Sequence, residues 1–383
     1  MVSSANASGY SGESFSTVLA RSPRETRETF VRIILLTTCL ELLLMKKILV
    51  LALCVFASSA ISQEKATPSA TPKPKASVAA KDPVKAKQPP ERPAPTYADV
   101  AYGTDSERQK FDFWKATSEK PTPVVLLIHG GGWSNGDKTG YGTRQIKPFL
   151  DAGISVAAIN YRFINQAMEQ KVEPPVKACV HDAARALQTI RSKSAEWNID
   201  PNRIGATGGS AGACTSLWLA LHNDLADVNS SDPVSRQSTR LQCAGVTGAQ
   251  TSLDPTELRK WIANSIYGAH AFGFATKDSS RAEQFDQLIE NREKVLPWIL
   301  EYSPMALISK DDPSLFLEYP NQKTEPMLGG TEPDPTHSAL YGIEFAKRCK
   351  EIGVDCIVTY PGAKNPDFAT STDFLLKHLK TAQ

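Results

Sequence analysis

The feature that most constrains the fold is an alternation of short apolar runs with helix-like patterns from Tyr97 onward. Short apolar runs bounded by turn residues are typical of buried strands, and apolar positions three or four residues apart are typical of helices. Strands that alternate with helices favour a mostly parallel sheet flanked by helices, so we predict an α/β fold. The predicted strands are 124–129, 155–160, 203–208, 242–246, 314–318 and 355–360. The predicted helices are 142–151, 176–195, 211–221, 335–352 and one from Thr372.

One connection between two predicted strands is unusually long. It contains Trp261, Trp298 and a charged helical pattern. A connection of this length without structure of its own is uncommon in a compact domain. We therefore predict a helical cap insertion at about residues 252–308.

Charge is distributed unevenly along the chain. The whole sequence has 43 basic and 41 acidic residues, which gives a net charge of +2. Residues 64–96 carry seven basic and three acidic residues, whereas residues 97–383 carry 30 and 34. Nucleic-acid-binding domains carry a basic excess, so the mildly acidic folded part argues against nucleic acid as a partner.

A secretion signal is predicted at residues 45–62. Two lysines follow Met45, and after them come an apolar run of about ten residues and a small-residue exit, as in signal peptides. The run is too short for a transmembrane helix. We therefore expect a periplasmic or extracellular protein with no stable membrane span after processing. We interpret residues 1–44 as a leader from a misplaced start codon; the alternative is an atypical leader with a membrane anchor across 31–56.

Residues 63–96 form a predicted linker, and residues 97–383 are predicted to form one folded domain. Eight of the 26 prolines lie within 64–96, together with Ala, Lys, Thr and Ser, a composition typical of an extended, solvated tether. Five of the seven cysteines fall in the folded part, so an exported protein keeps at least one of them unpaired or paired outside the chain. Because no C-x-x-C or H-E-x-x-H spacing occurs, we predict no metal site, and we predict no cofactor.

Two predicted strands end in unusual turns. Residues 129–133 read His-Gly-Gly-Gly-Trp, and glycines without Cβ allow backbone N–H groups to approach a ligand. Residues 208–212 read Gly-Gly-Ser-Ala-Gly directly before a predicted helix. A G-x-S-x-G sequence between strand and helix is typical of a nucleophile elbow, which lifts the serine hydroxyl above the sheet. Small residues alone often fill tight turns, but the occurrence of both motifs argues against coincidence.

With these motifs, residues 97–383 resemble the hormone-sensitive-lipase and feruloyl-esterase-like branch of the α/β-hydrolases. Asn-Tyr-Arg at 160–162 and the segment 198–204 leading into the elbow add to the resemblance. It implies the α/β-hydrolase fold and attack of a serine on a carboxylic ester. It also implies that His129 is a structural loop residue. Carried over residue by residue, it implies Ser210 as the nucleophile and the N–H groups of Gly131, Gly132 and Ala211 as the oxyanion hole.

The general base expected from the resemblance is missing from its usual place. The family's chain order is Ser, then Asp or Glu, then His, with the histidine after the last strand. Here Asn365 stands where that histidine is expected. Because an amide cannot take a proton as a general base, the usual triad is broken.

Four histidines lie downstream of Ser210. His222 follows the elbow helix, where a surface or packing role is the simplest interpretation. His378 lies between lysines on the last helix, where we expect it to be exposed. His270 belongs to the cap, where it is placed to contact substrate. The fourth, His337, lies after the predicted strand 314–318.

We predict that His337 replaces the missing histidine, because it lies in the segment where the family places its acid. Asp334, or a neighbouring acid such as Glu332, would then orient the imidazole. Asp334 followed by Pro335 is also a common helix start, so capping is the simpler role for Asp334, although both roles can coexist. In that helix, His337 would lie near the positive end, which keeps imidazole neutral.

The leading functional hypothesis is an exported serine hydrolase that cleaves carboxylic esters through an acyl-enzyme on Ser210. The predicted partner is a small-molecule or carbohydrate ester, and acylated plant or algal carbohydrate is a reasonable substrate class. The alternative is a catalytically impaired hydrolase-fold protein that binds a ligand and lacks the usual histidine. A third hypothesis is amide or peptide hydrolysis at the same site.

Overall fold

The structure is a computed structural model that describes residues 91–380. The predicted leader, the signal segment and residues 63–90 of the predicted linker lie outside the described residues. The last part of that linker contacts the domain: Arg92 pairs with Asp112 at 2.8 Å, and Trp114 Nε1 donates to the Pro93 carbonyl at 2.8 Å. In this part of the chain, no helix combines the length and apolarity needed to cross a membrane.

Within residues 91–380, eight strands form one mixed sheet. They are β1 Tyr97–Ala101, β2 Lys110–Trp114, β3 Thr122–Ile128, β4 Ser155–Ile159, β5 Ile199–Gly208, β6 Cys243–Thr247, β7 Ser314–Glu318 and β8 Cys356–Thr359. Their order across the sheet is β1-β2-β4-β3-β5-β6-β7-β8. The β1–β2 and β2–β4 pairs are antiparallel, and all other pairs are parallel. The mostly parallel sheet therefore confirms the predicted α/β class.

Helices flank the sheet and fill the connections between its strands. They are α1 Thr143–Asp151, α2 Ile164–Glu169, α3 Pro175–Ser192, α4 Ser194–Trp197, α5 Ala211–Leu221, α6 Pro255–Trp261, α7 Arg281–Glu290, α8 Arg292–Tyr302, α9 Pro304–Leu307, α10 Leu340–Ile352 and α11 Ser371–Lys380. Helices α6 to α9 and a short 3₁₀ helix, Ala269–Phe272, lie in the long connection between β6 and β7.

The core lies on both faces of the sheet because its central strands are apolar on both sides. Every residue of β3 is buried, as expected of a strand inside a parallel sheet. Val124, Leu126 and Ile128 pack in the cluster that includes residues of α3 and α5. Val125 and Leu127 pack in the cluster that includes residues of α1 and α11. The alternation of side chains along one strand thus joins two helical layers.

Strands β1 and β2 escaped prediction because their sequences do not read as apolar runs. In β2 a carboxylate, Asp112, lies fully buried between aromatic neighbours. It accepts a hydrogen bond from Lys138 Nζ at 2.8 Å and another from Arg92 at 2.8 Å. Burial works to raise the pKa of Asp112, but these bonds hold it below its usual value. A tertiary ion cluster therefore permits a charge that the sequence pattern would place in a loop.

The predicted helix 335–352 begins five residues later than expected, at Leu340. The Asp334 carboxylate accepts a hydrogen bond from the Thr336 N–H at 3.2 Å, and Ser338 Oγ accepts one from the Leu340 N–H at 3.2 Å. Side chains that bond to nearby backbone in this way compete with the helix. The prediction that Asp334 caps a helix and that His337 occupies its third position is therefore wrong, and His337 lies in a turn.

The Asp112 cluster yields a test of stability. Replacement of Asp112 by Asn should lower the free energy of unfolding by about 3 kcal/mol or more, because it removes the buried carboxylate that pairs with the buried Lys138 ammonium. Urea denaturation measures this loss. The matched control is Asp99→Asn: Asp99 also contacts Lys138, at 2.9 Å, but its side chain is 67% exposed, so about 1 kcal/mol or less is expected. Equal losses in the two variants would contradict this account.

Candidate active site

Ser210 lies at a sharp turn between β5 and α5. Its backbone has φ 54° and ψ −124°, in the positive-φ region that non-glycine residues rarely adopt. Glycines on either side allow this turn to lie close to β3. A Cβ atom at Gly208 or Gly212 would overlap with the carbonyl oxygen of Ile128. The turn therefore places the serine hydroxyl directly beyond the end of the central strand.

His337, predicted from the sequence as the replacement for the missing histidine, lies against Ser210, and its role as the base stays a prediction. His337 Nε2 lies 3.0 Å from Ser210 Oγ, and His337 Nδ1 lies 2.9 Å from Asp334 Oδ2. A carboxylate can only accept a hydrogen bond, so Nδ1 donates to it and Nε2 is left to accept the serine proton. The structure thus brings Ser210, His337 and Asp334 into one hydrogen-bonded chain.

The turn that carries the acid and the histidine is tied to its surroundings. Gln250 Nε2 donates to the Thr336 carbonyl at 2.7 Å, and the Ala339 N–H donates to Gln322 Oε1 at 2.8 Å. Burial works to raise the pKa of Asp334, but the hydrogen bonds from the His337 ring and the Thr336 N–H hold that pKa below the usual value. Asp334 is therefore ready to accept a hydrogen bond from the imidazole at neutral pH.

Glu332, the alternative acid, points its carboxylate elsewhere. Its Oε2 accepts a hydrogen bond from Gln322 Nε2 at 2.9 Å and one from Thr324 Oγ1 at 3.3 Å. The residue is 5% exposed. Glu332 therefore stabilises the loop after β7, and Asp334 is the acid that contacts the imidazole.

The glycine loop after β3 approaches the elbow from the other side. Gly131 and Gly132 have φ values of 100° and 58°. The buried Trp133 fixes the loop because its Nε1 donates to Thr215 Oγ1 on α5 at 2.9 Å. The N–H groups of Gly131, Gly132 and Ala211 donate no hydrogen bond to any other residue of 91–380. They are free to bind an oxygen of a ligand, and their oxyanion role stays a prediction.

His129 faces away from the serine. Its ring stacks on Tyr161 with centroids 4.3 Å apart, and Nδ1 lies 2.9 Å from the Gly130 carbonyl. Burial lowers the pKa of His129 to about 4. The ring is therefore neutral at physiological pH and packs the base of the glycine loop.

The other singled-out positions lie outside the hydrogen-bonded chain. Asn365 accepts hydrogen bonds from the N–H groups of Asp367 and Phe368 at 2.9 and 3.1 Å, so it closes a turn. His222 Nε2 lies 2.9 Å from a carboxylate oxygen of Glu301. His378 was expected to be exposed, but it is half-buried because its ring stacks on Phe374 with centroids 4.1 Å apart.

A cavity of about 590 Å³ opens above Ser210. Its walls come from the glycine loop, the turn of His337 and the helical segment between β6 and β7. Sequence reasoning singled out His270 here but missed the other residues of that segment, because no motif links them to the strand ends. The missed residues include Ile266, Tyr267, Ala269, Ala275, Arg281 and Gln284.

A slightly larger cavity, of about 680 Å³, lies beside Arg162 and Asp182. These two residues form an ion pair at 2.7 Å. None of its lining residues belongs to the hydrogen-bonded series of Ser210, His337 and Asp334. The chemistry of the lining, rather than cavity size, therefore selects the smaller cavity as the candidate active site.

Comparison with known proteins identifies a family and similar proteins. A family model described as BD-FAE matches residues 112–323, which is more than half of the chain. The probable carboxylic ester hydrolase LipM of Mycobacterium tuberculosis is 31% identical over 126 residues, which cover 32% of this chain and 28% of that protein. The chain spans about a third of the length of the curated relatives it matches.

Two solved structures share the architecture. A truncated carbohydrate esterase from gut microbiota is 17% identical with a TM-score of 0.54, covering 77% of this chain and 100% of that one. An esterase from the Planctomycetes species Thermogutta terrifontis, solved with propionate bound, is 20% identical with a TM-score of 0.51, covering 76% and 93%. These likenesses confirm the fold predicted from the sequence.

The buried histidines predict how stability depends on pH. Burial lowers the pKa values of His129, His181 and His270 to about 4, against about 6.5 for an exposed histidine. Between these values the unfolded chain binds protons that the folded chain does not, so the free energy of unfolding falls as the pH is lowered from about 6.5 to about 4.

The variant His129→Gln removes one of these protons and should flatten the dependence by about 1.4 kcal/mol per pH unit in that window. Urea denaturation of both proteins across a pH series measures the slopes. Parallel curves for the wild type and the variant would show that His129 takes up its proton in the folded state.

Proposed function

We propose a serine esterase function from one premise: this chain belongs to the BD-FAE family, within the α/β-hydrolase superfamily. The chain hydrolyses carboxylic esters through an acyl-enzyme on Ser210. The observation that carries this proposal is the chain of contacts from Ser210 Oγ to His337 Nε2, 3.0 Å, and from His337 Nδ1 to Asp334, 2.9 Å. A serine hydroxyl becomes an effective nucleophile when a positioned base takes its proton.

In the first half-reaction, Ser210 Oγ attacks the ester carbonyl carbon while its proton passes to His337 Nε2. Asp334 holds the imidazole in the required orientation and stabilises its positive charge. The carbonyl oxygen becomes an oxyanion, which accepts hydrogen bonds from the N–H groups of Gly131, Gly132 and Ala211. The intermediate collapses, the alkoxide leaves with the proton from His337, and an acyl ester remains on Ser210.

In the second half-reaction, water replaces the alcohol. His337 takes a proton from the water as its oxygen attacks the acyl carbon, and the same three N–H groups hold the second oxyanion. Collapse breaks the bond to Ser210 Oγ, which recovers its proton from His337. The products are a carboxylic acid and an alcohol, and the side chains return to their starting protonation states.

The proposed substrate is an ester of a small molecule or a carbohydrate, met outside the cytoplasm after export by residues 45–62. A cavity of about 590 Å³ lies within the range of small-molecule sites. Polar side chains in its lining, among them Asn135 and Gln284, suit a substrate that carries hydroxyl groups.

A second candidate is a binding protein that kept the fold and lost its chemistry. Asn365, at the position where the family carries its histidine, favours this candidate. The 3.0 Å contact of His337 Nε2 with Ser210 Oγ argues against it, because a histidine from another loop lies within hydrogen-bond distance of the serine.

Labelling with a fluorophosphonate probe and hydrolysis of 4-nitrophenyl acetate test the proposal together. The wild type should be labelled and active. Ser210→Ala and His337→Gln should each lower kcat by about 10⁴-fold or more, because nucleophile and base act as a unit. Asp334→Asn should give a loss on the order of 10² to 10⁴-fold, because it leaves the imidazole without its carboxylate.

The matched control is His222→Gln, since His222 pairs with Glu301 outside the cavity and should keep wild-type turnover. Thermal unfolding of every variant checks that the fold is kept. Undiminished turnover in His337→Gln would exclude His337 as the base. An unlabelled, inactive wild type would support the binding-protein candidate.

A further inference from the structure

Arg281 brings a positive charge to the cavity of Ser210. It is the first residue of α7, and it lines the cavity together with Gln284 one turn later. Its side chain is exposed. The catalytic mechanism proposed above makes no use of this guanidinium.

Within residues 91–380, Arg281 forms no ion pair and no side-chain hydrogen bond. The nearby acid Glu283 is engaged in the helix cap, where it accepts a hydrogen bond from the Ser280 N–H at 2.7 Å. The residues three and four positions after Arg281, where a helical ion-pair partner would lie, are Gln284 and Phe285. By contrast, Arg292 on the next helix pairs with Asp254 at 2.6 Å.

Two buried polar atoms in the same lining also have no partner within the described residues. They are Tyr267 Oη and His270 Nε2. Tyr267 is 5% exposed, and its ring meets that of His270 edge to face with centroids 5.0 Å apart. Buried polar groups are nearly always hydrogen-bonded in folded proteins, so an unpartnered phenol and imidazole at a cavity wall indicate a polar group of a ligand.

The three groups have complementary electrostatics. Burial, and after it the charge of Arg281, lower the pKa of His270 to about 4. The imidazole is therefore neutral at physiological pH and can offer one N–H. The one carboxylate among the lining residues, Asp334, is already bound to His337 at 2.9 Å. Among the described residues, the lining thus has an unpaired guanidinium and no free carboxylate to neutralise it.

We propose that the cavity selects esters that carry a carboxylate, and that Arg281 binds this carboxylate. This inference rests on the proposed esterase function and names its substrate class. Guanidinium and carboxylate form charge-assisted, often bidentate hydrogen bonds. The Tyr267 side chain lies in the same wall, and its O–H has no partner among residues 91–380. For a carbohydrate substrate, the class is an ester of an acidic sugar or a sugar acylated by a dicarboxylic acid.

The experiment compares kcat/KM for two matched pairs of synthetic esters. In the first pair the charge is on the acyl side: the mono-4-nitrophenyl ester of adipic acid and its neutral adipamide analogue. In the second pair the charge is on the leaving group: 4-acetoxybenzoate and neutral 4-acetoxybenzamide. The pair that shows a preference identifies the side of the scissile bond that faces Arg281.

The proteins are the wild type, Arg281→Gln, Arg281→Lys and Arg144→Gln. Arg144 is the matched control, because it is exposed on α1, forms no ion pair within the described residues and lies outside the cavity lining. The wild type and Arg144→Gln should prefer the charged ester of at least one pair by about tenfold. Arg281→Gln should lose this preference, and Arg281→Lys should retain part of it.

The dependence of the preference on ionic strength distinguishes a charge effect of Arg281 from a purely structural role. The preference for the charged ester should shrink as salt is added, because the guanidinium is exposed to screening. A preference that is equal in the wild type and Arg281→Gln, or absent from both pairs, would overturn the proposal.

The neutral esters separate this inference from the function on which it rests. If the wild type cleaves them without any preference for the charged partners, the esterase function stands and the role of Arg281 falls. If the wild type cleaves none of the four esters, the esterase function falls and the substrate class falls with it.

Discussion

The close approach of helix α5 to the end of strand β3 is the constraint on which the candidate site depends. Gly208 and Gly212 lie against the carbonyl oxygen of Ile128, where no side chain fits. Because the chain must turn between these contacts, Ser210 is held at φ 54°. The core on both faces of β3 and β5 supports this strained turn, since a loosely packed sheet would let it relax. The reactivity proposed for Ser210 therefore depends on the packing of the core around β3 and β5.

Much of this arrangement could be predicted from the sequence, because the motifs encode local geometry. The apolar runs of the central strands indicate buried strands. The glycines around Ser210 indicate a tight turn. Strand β2 could not be found in this way, because Asp112 is stabilised by Lys138 and Arg92 from distant parts of the chain. Reasoning from local sequence fails where an ion cluster between distant residues determines whether a segment forms a strand.

Two sequence predictions concern the segment of His337: one about the role of the histidine and one about its secondary structure. From the sequence we predicted that His337 replaces the histidine missing from its usual place, because it lies in the segment where the family places its acid, and in the structure His337 Nε2 lies 3.0 Å from Ser210 Oγ. We also predicted a helix from 335, and that was wrong, because Asp334 and Ser338 bind nearby backbone N–H groups. The wall that carries Arg281 and Tyr267 was predicted only as part of a helical cap, because which of its side chains line the cavity depends on how the helices after β6 pack.

Asp334 and His337 lie three residues apart on one turn, whereas the family pattern distributes acid and base over two strand ends. Because both residues lie on one turn, local backbone geometry fixes their relative positions. A structural change at the sheet edge beyond β7 would leave these positions unaltered. In the proposed mechanism, the loop after β8 therefore takes no part in proton transfer. The proposed acid and base thus lie in one short segment, which an exchange of the loop after β7 would transfer as a unit.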